Sequence, residues 1–128
     1  MLDRILLIDD SEPDLIYTRI VLERAKVVRE IVHFESARDA LARLDRPDCP
    51  GADLILLDIN MPGMNGFDFL RAYETAARRP HTPSVVMLSS SADPTDRRSA
   101  ESFGSVRGFV TKPLASGQAQ GLLDLLRA

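Results

Sequence analysis

Three short runs of apolar residues stand out along this chain: Ile5–Ile8, Leu54–Leu57 and Val85–Leu88. Charged or turn-forming residues bound each run, and each is too short to be a buried helix. Continuous apolar runs of this length are typical of parallel strands that are covered on both faces of a sheet. Two weaker strands are predicted at Ile31–Phe34 and Gly108–Thr111.

Between these strands, apolar residues recur at three- and four-residue steps, which indicates helices with one buried face. Capping residues mark the helix starts: Ser11 with Pro13, Ser36, Asn65 with Gly66, and Asp93 with Pro94. The fourth helix is expected to have little apolar surface, and two glycines weaken the first turn of the fifth. The predicted inward positions are Leu15, Thr18, Leu22 and Ala25; Ala37, Ala40, Leu41 and Leu44; Gly66, Leu70, Tyr73 and Ala77; Ala100 and Phe103; Ala119, Leu122, Leu123 and Leu126.

The order strand–helix, repeated five times, predicts an α/β fold with a doubly wound five-stranded parallel sheet. Ligands of such sheets bind beyond the carboxyl ends of the strands. We therefore expect the functional residues at the strand ends, where the sequence has Asp9, Asp10, Asp58, Ser89 and Lys112.

Composition narrows the class of protein. The 128 residues are expected to form one domain, 1–128, with no room for a separate cofactor or output domain. The single cysteine, Cys49, allows no intrachain disulfide, so a cytoplasmic location is expected. A net charge of −3 and a pI near 5.3 argue against nucleic acid as a partner, and the apolar runs are too short for a membrane span.

The polar residues at the strand ends suggest a phosphoryl site. Three neighbouring carboxylates repel one another unless a cation lies among them, and a hard ion such as Mg²⁺ suits oxygen ligands. Lys112 would add a positive charge, and Ser89 a hydroxyl donor. A carboxylate is a competent nucleophile towards a phosphoryl group.

Four segments now carry a resemblance: Ile5–Asp10, Leu54–Gly66, Val85–Ser90 and Phe109–Pro113. With these motifs the chain resembles the receiver domains of two-component response regulators, in particular the stand-alone chemotaxis type. The resemblance extends from Asp3 to Arg127. It implies a flavodoxin-like sheet with the strand order 2-1-3-4-5.

The resemblance also implies a role for each site residue. Asp58 would be the phosphoacceptor and Lys112 would contact the phosphoryl group. Asp9 and Asp10 would be the acidic pair, with Mg²⁺ bound by Asp10, Asp58 and the backbone carbonyl of Asn60, and by Asp9 through water. Ser89 and Phe109 would be the switch residues, and Pro113 would follow a cis peptide bond.

The sequence departs from the usual family pattern in three places. Ser89 replaces a common threonine, and Phe109 replaces a common tyrosine, which removes a hydroxyl. The spacing from Ser89 to Lys112 is one residue longer than usual, and we place the extra residue in the loop Gly104–Gly108, before the last strand.

Several functional alternatives are compatible with these residues. The first hypothesis is a regulator that a histidine kinase or phosphotransfer protein phosphorylates and that signals through protein contacts. It would have no enzymatic activity except catalysis of its own phosphorylation and dephosphorylation. A phosphate sink, a relay intermediate and a homodimer are compatible with the same residues. An aspartyl-phosphate phosphohydrolase is a candidate of another class, although Asn60 stands where such enzymes need a second acid. A pseudo-receiver that only binds partners should lack the acceptor or an acid, and none is missing here.

The first helix offers a candidate partner surface. Tyr17 and Val21 lie four residues apart, outside the main inward stripe, and would form an exposed apolar pair. The resemblance implies docking of a kinase or phosphotransfer protein on this helix, whereas burial in a wide apolar stripe is the alternative. His33 and His81 are isolated, so they predict no metal site. His33 is expected to be partly buried or at a sheet edge, and His81 to face solvent.

Overall fold

In the computed structural model, a parallel sheet carries helices on both of its faces. The structure describes residues 1–46, 51–75, 83–91 and 93–127. The strand order is β2-β1-β3-β4-β5 with all pairs parallel, which confirms the predicted fold and order. The elements are β1 (Leu2–Ile8), α1 (Glu12–Ala25), β2 (Val28–Phe34), α2 (Ala37–Leu44), β3 (Leu54–Leu57), α3 (Gly66–Thr75), β4 (Ser84–Ser89), α4 (Pro94–Glu101), β5 (Val106–Thr111) and α5 (Ser116–Arg127).

The sheet separates two apolar cores. Successive side chains of a strand point to opposite faces, so the apolar runs supply both cores at once. In β1, Ile5 and Leu7 pack with α1 and α5, whereas Leu6 and Ile8 pack with α2 and α3. The three apolar runs are therefore buried on both faces, as predicted.

The outer parts of the strands were predicted too short. β1 begins at Leu2 rather than Ile5, and β2 begins at Val28 rather than Ile31. These added positions include charged residues, and Arg4 pairs with Glu30 across the two strands. Charged residues at the exposed end of a strand give a weak local signal for a strand, so pairing with the neighbouring strand decides these boundaries.

The capping residues were predicted correctly. The hydroxyls of Ser11 and Ser36 accept hydrogen bonds from the backbone N–H of Asp14 and Asp39, each at 3.4 Å. The carboxylate of Asp93 accepts from the N–H of Thr95 at 2.9 Å. These contacts satisfy N–H groups that a helix start leaves without intrahelical partners.

The predictions for Cys49, Ala77 and His81 lie outside the described residues, whereas His33 is exposed on the edge strand β2.

Helix α4 has the thin apolar face that the sequence predicted. Ala100 is its buried residue, and Phe103 follows the end of the helix, where it is partly buried against the core. Few buried contacts therefore hold α4 against the sheet, and such elements open or shift at low free-energy cost.

The expected longer loop before the last strand is instead a bulge inside β5. Val85 pairs with Val106, whereas the next residue of β4, Val86, pairs with Gly108, so Arg107 is the additional residue. Ser105, which precedes the strand, donates its backbone N–H to the carboxylate of Glu74 at 2.7 Å. A bulge accommodates one extra residue while keeping both flanking pairs. Arg107 lies within the predicted range 104–108, but β5 begins at Val106, so this residue belongs to the strand rather than to a loop before it.

Replacing Gly121 in helix α5 by alanine should increase the stability of the fold. A Cβ built on Gly121 meets no heavy atom within 4 Å. We expect Gly121→Ala to raise the free energy of unfolding by roughly 0.5 to 1 kcal/mol, because glycine loses more backbone entropy in a helix than alanine does. Urea denaturation measures this change. In Gly108→Ala the new Cβ meets Leu125 at 3.1 Å, so a gain equal to that of Gly121→Ala would contradict the packing of α5 on β5.

In the part of the chain that the structure describes, no helix combines the length and apolar character needed to cross a bilayer.

Candidate functional site

Three carboxylates meet at the carboxyl edge of the sheet. One oxygen each from Asp9, Asp10 and Asp58 lies within 4.8 Å of the others. Asp9 and Asp10 follow β1 and Asp58 follows the adjacent strand β3, where its N–H donates to the carbonyl of Ile8 at 2.9 Å. Asp9 and Asp58 are each 6% exposed, whereas Asp10 is exposed. The strand order therefore brings together the three acids that the sequence predicted.

The acidic cluster fits a hard divalent cation such as Mg²⁺. All of its donor atoms are carboxylate oxygens, which Mg²⁺ prefers over nitrogen or sulfur. The exposed position of Asp10 leaves one side of the cluster open to water, and Mg²⁺ usually keeps several waters. Asn60 lies two residues after Asp58 in the same loop and is also exposed.

Lys112 lies in contact with the acidic cluster. Its Nζ is 2.5 Å from Oδ2 of Asp9 and 3.7 Å from Oδ1 of Asp58, and its side chain is only 11% exposed. The Lys112–Pro113 peptide bond is cis, as predicted. The backbone N–H of Lys112 donates to the carbonyl of Ser89 at 2.9 Å, so the ends of β4 and β5 are joined at this edge.

Burial and charge shift the protonation of Asp58 and Lys112. Burial, reinforced by the negative charge of Asp9, raises the pKa of Asp58 to about 6, although Lys112 and the N–H of Ile59 act in the opposite direction. Burial alone lowers the pKa of Lys112, but hydrogen bonds to Asp9 and Asp14 and the charge of Asp58 outweigh it and raise that pKa. Lys112 is therefore charged, and the carboxyl of Asp58 holds its proton up to a higher pH than an ordinary aspartate does.

A close backbone contact shapes the loop that follows Asp58. The N–H of Gly66 donates to the carbonyl of Ile59 at 2.9 Å, which holds the start of α3 against this loop. A Cβ on Gly66 would lie 2.4 Å from the carbonyl oxygen of Asp58 and 2.9 Å from the Cα of Ile59. Only glycine allows this close approach, so Gly66 helps to fix the backbone position of Asp58.

The two predicted switch residues lie on neighbouring strands. Ser89 ends β4, is fully buried, and accepts a hydrogen bond at Oγ from the N–H of Ser91 at 3.2 Å. Phe109 pairs with Met87 and is partly buried beside α4, where the guanidinium carbon of Arg97 lies 5.5 Å from its ring centroid. A cation over an aromatic ring is attracted to it, so Arg97 stabilises this position of the Phe109 ring. Phe109 has no hydroxyl that could make a hydrogen bond in place of this contact.

Sequence reasoning missed two members of this region, Arg97 and Asp14. Oδ2 of Asp14 lies 2.9 Å from Nζ of Lys112. The signal for Asp14 was available, because an acid in the first turn of the first helix stands close to the carboxyl end of the first strand. The signal for Arg97 was not, because it depends on how α4 lies across β5.

The predicted apolar pair on α1 is only half correct. Tyr17 is 49% exposed, but Val21 is partly buried and packs against the core that α1 shares with α5. The exposed apolar neighbours of Tyr17 are Ile16 and Ile20. The buried stripe of α1 is wide enough to include Val21, so the exposed apolar patch consists of Ile16, Tyr17 and Ile20 instead. Beside Tyr17, a groove of about 420 Å³ leads along Pro13 and Asp14 to Lys112 and Pro113.

Comparisons with known proteins place these residues in a family. The family model of the response regulator receiver domain matches residues 5–124. The chain is 34% identical over 126 residues to the sensory/regulatory protein RpfC of Xanthomonas campestris, covering 96% of this chain but only 16% of that protein. It is 33% identical to protein PilH of Pseudomonas aeruginosa, covering 87% of this chain and 86% of that protein.

Solved structures agree with the sequence comparisons. A two-component response regulator from Cytophaga hutchinsonii has a TM-score of 0.90 at 29% identity, covering 98% of this chain and 97% of the other. The chemotaxis response regulator CheY4 of Vibrio cholerae has a TM-score of 0.77 at 25% identity, covering 98% and 99% of the two chains. With the fold, the acidic edge and the family model in agreement, this chain belongs to the receiver domain family of two-component response regulators.

Proposed function

We propose that residues 1–128 act as one receiver domain that takes a phosphoryl group from a phosphohistidine onto Asp58, in the cytoplasm and with Mg²⁺. The observation that carries this proposal is the cluster of three carboxylates at the edge of the sheet, two of which, Asp9 and Asp58, lie beside the ammonium of Lys112. That arrangement combines a carboxylate nucleophile with charges suited to phosphoryl oxygens.

The transfer follows from the positions of the side chains. A carboxylate oxygen of Asp58 attacks phosphorus and forms a P–O bond while the P–N bond to the partner histidine breaks. The bond electrons pass to the imidazole nitrogen, so no oxidant or further reactant is needed. Lys112 holds its positive charge beside Asp58 and would donate to a phosphoryl oxygen. Asp10, Asp58 and the carbonyl of Asn60 would hold Mg²⁺, with Asp9 acting through water, and the ion would offset negative charge on the phosphoryl oxygens.

A conformational response is proposed through Ser89 and Phe109. The hydroxyl of Ser89 would turn from the N–H of Ser91 to a phosphoryl oxygen, and Phe109 would move inward as the hydroxyl leaves. Helix α4 is held by few buried contacts and touches Phe109 through Arg97, so it is the element that would shift with the ring. The altered face would then change which protein binds.

The proposed partner is a histidine kinase or a phosphotransfer protein that docks on α1. Ile16, Tyr17 and Ile20 form an exposed apolar patch there, and the groove beside Tyr17 reaches Lys112. A helix that covers this patch could bring a phosphohistidine to the site edge. The same surface serves an output regulator, a relay intermediate or a phosphate sink.

The experiment is phosphorylation by a small donor. We expect incubation with acetyl phosphate and Mg²⁺ to add one base-labile phosphoryl group, seen by intact-protein mass spectrometry, and EDTA to prevent the addition. Asp58→Asn should abolish the adduct because the nucleophile is gone. The matched control is Asp39→Asn, which removes an exposed acid from α2 and should leave the adduct unchanged.

Two other results would point elsewhere. Continuous release of phosphate at many turnovers per protein would favour an aspartyl-phosphate phosphohydrolase. The absence of an adduct with acetyl phosphate and with a phosphorylated histidine phosphotransfer protein would favour a pseudo-receiver that only binds partners.

A further inference from the structure

Lys112 makes a contact that the proposed phosphoryl transfer does not need. Its Nζ lies 2.9 Å from the carboxylate of Asp14, in the first turn of α1, and 3.7 Å from that of Asp58. The first distance is that of a charge-assisted hydrogen bond, whereas the second is too long for one. In this structure the ammonium is thus bonded to Asp9 and Asp14 rather than to Asp58.

The two bonded carboxylates differ in their surroundings. The side chain of Asp9 is 8% exposed and belongs to the acidic cluster, so its bond to Lys112 is retained within the site. The side chain of Asp14 is 46% exposed and belongs to a different element, and it lies along the groove beside α1. A half-exposed ion pair is screened by water and exchanges partners readily.

A phosphoryl group on Asp58 would compete with Asp14 for the same ammonium. Lysine has three donor protons, and a phosphoryl group offers several strong acceptors with greater negative charge than a carboxylate. Nζ must approach within about 2.9 Å of a phosphoryl oxygen to neutralise it effectively. Asp14 therefore opposes the transfer by holding Nζ of Lys112 towards α1, at 3.7 Å from the carboxylate of Asp58.

We propose that Asp14 is a positioning residue that holds Lys112 towards α1 in the unphosphorylated protein and slows phosphoryl transfer to Asp58. This inference rests on the proposed function. It also links phosphorylation to α1, because the transfer frees Asp14 at the edge of the groove that Tyr17 lines. Helix stabilisation is the competing explanation, since an acid in the first turn interacts favourably with the helix dipole.

The chain contains a matched control for that explanation. Glu12 is exposed and is also in the first turn of α1, so Glu12→Gln removes an acid from the same turn and changes the net charge equally. The ion pairs of Lys112 within the described residues go to Asp9, Asp14 and Asp58, and Glu12 is not among them.

The experiment measures the rate of phosphorylation by acetyl phosphate at saturating Mg²⁺ and constant ionic strength. We expect Asp14→Asn to react roughly three- to fivefold faster than the parent protein, the size expected from removing one partly exposed ion pair. Asp14→Glu, which keeps a carboxylate in reach of Lys112, should stay within about twofold of the parent, and so should Glu12→Gln. In a Lys112→Ala background, Asp14→Asn should have no accelerating effect, because the group through which it acts is missing.

The outcomes separate this inference from the proposed function. If the parent protein accepts no phosphoryl group, the proposed function fails. If the parent reacts but Asp14→Asn is no faster than Glu12→Gln, the positioning role of Asp14 is wrong and the proposed function stands. The same holds if Asp14→Asn accelerates the reaction by the same factor in the Lys112→Ala background as in the parent. If Lys112→Ala reacts too slowly for its rate to be measured, the comparison of Asp14→Asn with Glu12→Gln alone decides whether Asp14 has the positioning role.

Discussion

The Gly66→Ala variant is expected to lose roughly 3 kcal/mol of unfolding free energy, at the upper end of what over-packing costs, together with most of its phosphoryl-accepting activity. The added methyl group would lie 2.4 Å from the carbonyl oxygen of Asp58, and both of its nearest neighbours are backbone atoms. Backbone cannot rotate away as a flexible side chain can. Either α3 moves off the sheet and loses its packing against the loop after Asp58, or this loop moves and displaces the carboxyl of Asp58 from Lys112.

Gly104→Ala is the matched control for this variant. Gly104 is exposed, and a Cβ built there meets nothing within 4 Å. Urea denaturation and acetyl phosphate labelling of both variants measure the two effects. If Gly66→Ala unfolds at the same urea concentration as Gly104→Ala and labels at the parent rate, the close approach of α3 to Asp58 is not present in solution.

The second large effect concerns charge. In the protein stripped of metal by EDTA, we expect Asp58→Asn to be more stable than the parent by about 2 to 3 kcal/mol at pH 7. The raised pKa of Asp58, about 6 against an ordinary 3.8, means that ionising this buried carboxyl beside Asp9 opposes folding. Asparagine has a similar shape and carries no charge, so it removes that opposition.

The pH dependence has a definite sign. Between about pH 4 and pH 6 the folded protein keeps a proton on Asp58 that the unfolded chain has released, so parent stability falls as the pH rises through this window. The advantage of Asp58→Asn should therefore be absent below pH 4 and complete above pH 7. Thermal unfolding across this pH range measures it, and added Mg²⁺ should reduce the difference by stabilising the parent.

The control for the charge effect is Asp3→Asn. Asp3 has a side chain that is 79% exposed, and its ion pair with Arg29 is 3.8 Å long. This substitution changes the net charge as Asp58→Asn does, yet it should alter stability by no more than about 0.5 kcal/mol. A gain at Asp3 equal to that at Asp58 would attribute the effect to overall charge rather than to the buried cluster.

Much of the fold could be predicted because its local and global preferences agree. Runs such as Leu54–Leu57 have no polar residue to place at a surface, so only a strand covered on both faces accommodates them. Helix caps such as Ser36 act through bonds to residues three positions away, which local sequence determines. The exposed ends of β1 and β2 were missed because there the neighbouring strand, rather than the residue itself, decides the conformation.

Five polar side chains of the site were also predictable, since parallel strands end at a common edge and each of these residues follows or ends a strand. The contact of Lys112 with Asp14 was not, although both residues were visible in the sequence. A lysine side chain reaches several partners, and the choice among them depends on distances that only the packed helices establish.

The sequence by itself therefore determined the alternation of strands and helices, the capping positions, and the residue types present at the sheet edge. Those properties depend on side-chain periodicity and on short-range hydrogen bonds. Only the tertiary structure decided that α3 presses on the backbone of Asp58 through Gly66, that the extra residue forms a bulge at Arg107, and that α1 exposes Ile16 and Ile20 rather than Val21. Each of these depends on how separate elements pack, because distances between residues far apart in the chain are set by the whole core rather than by any one segment.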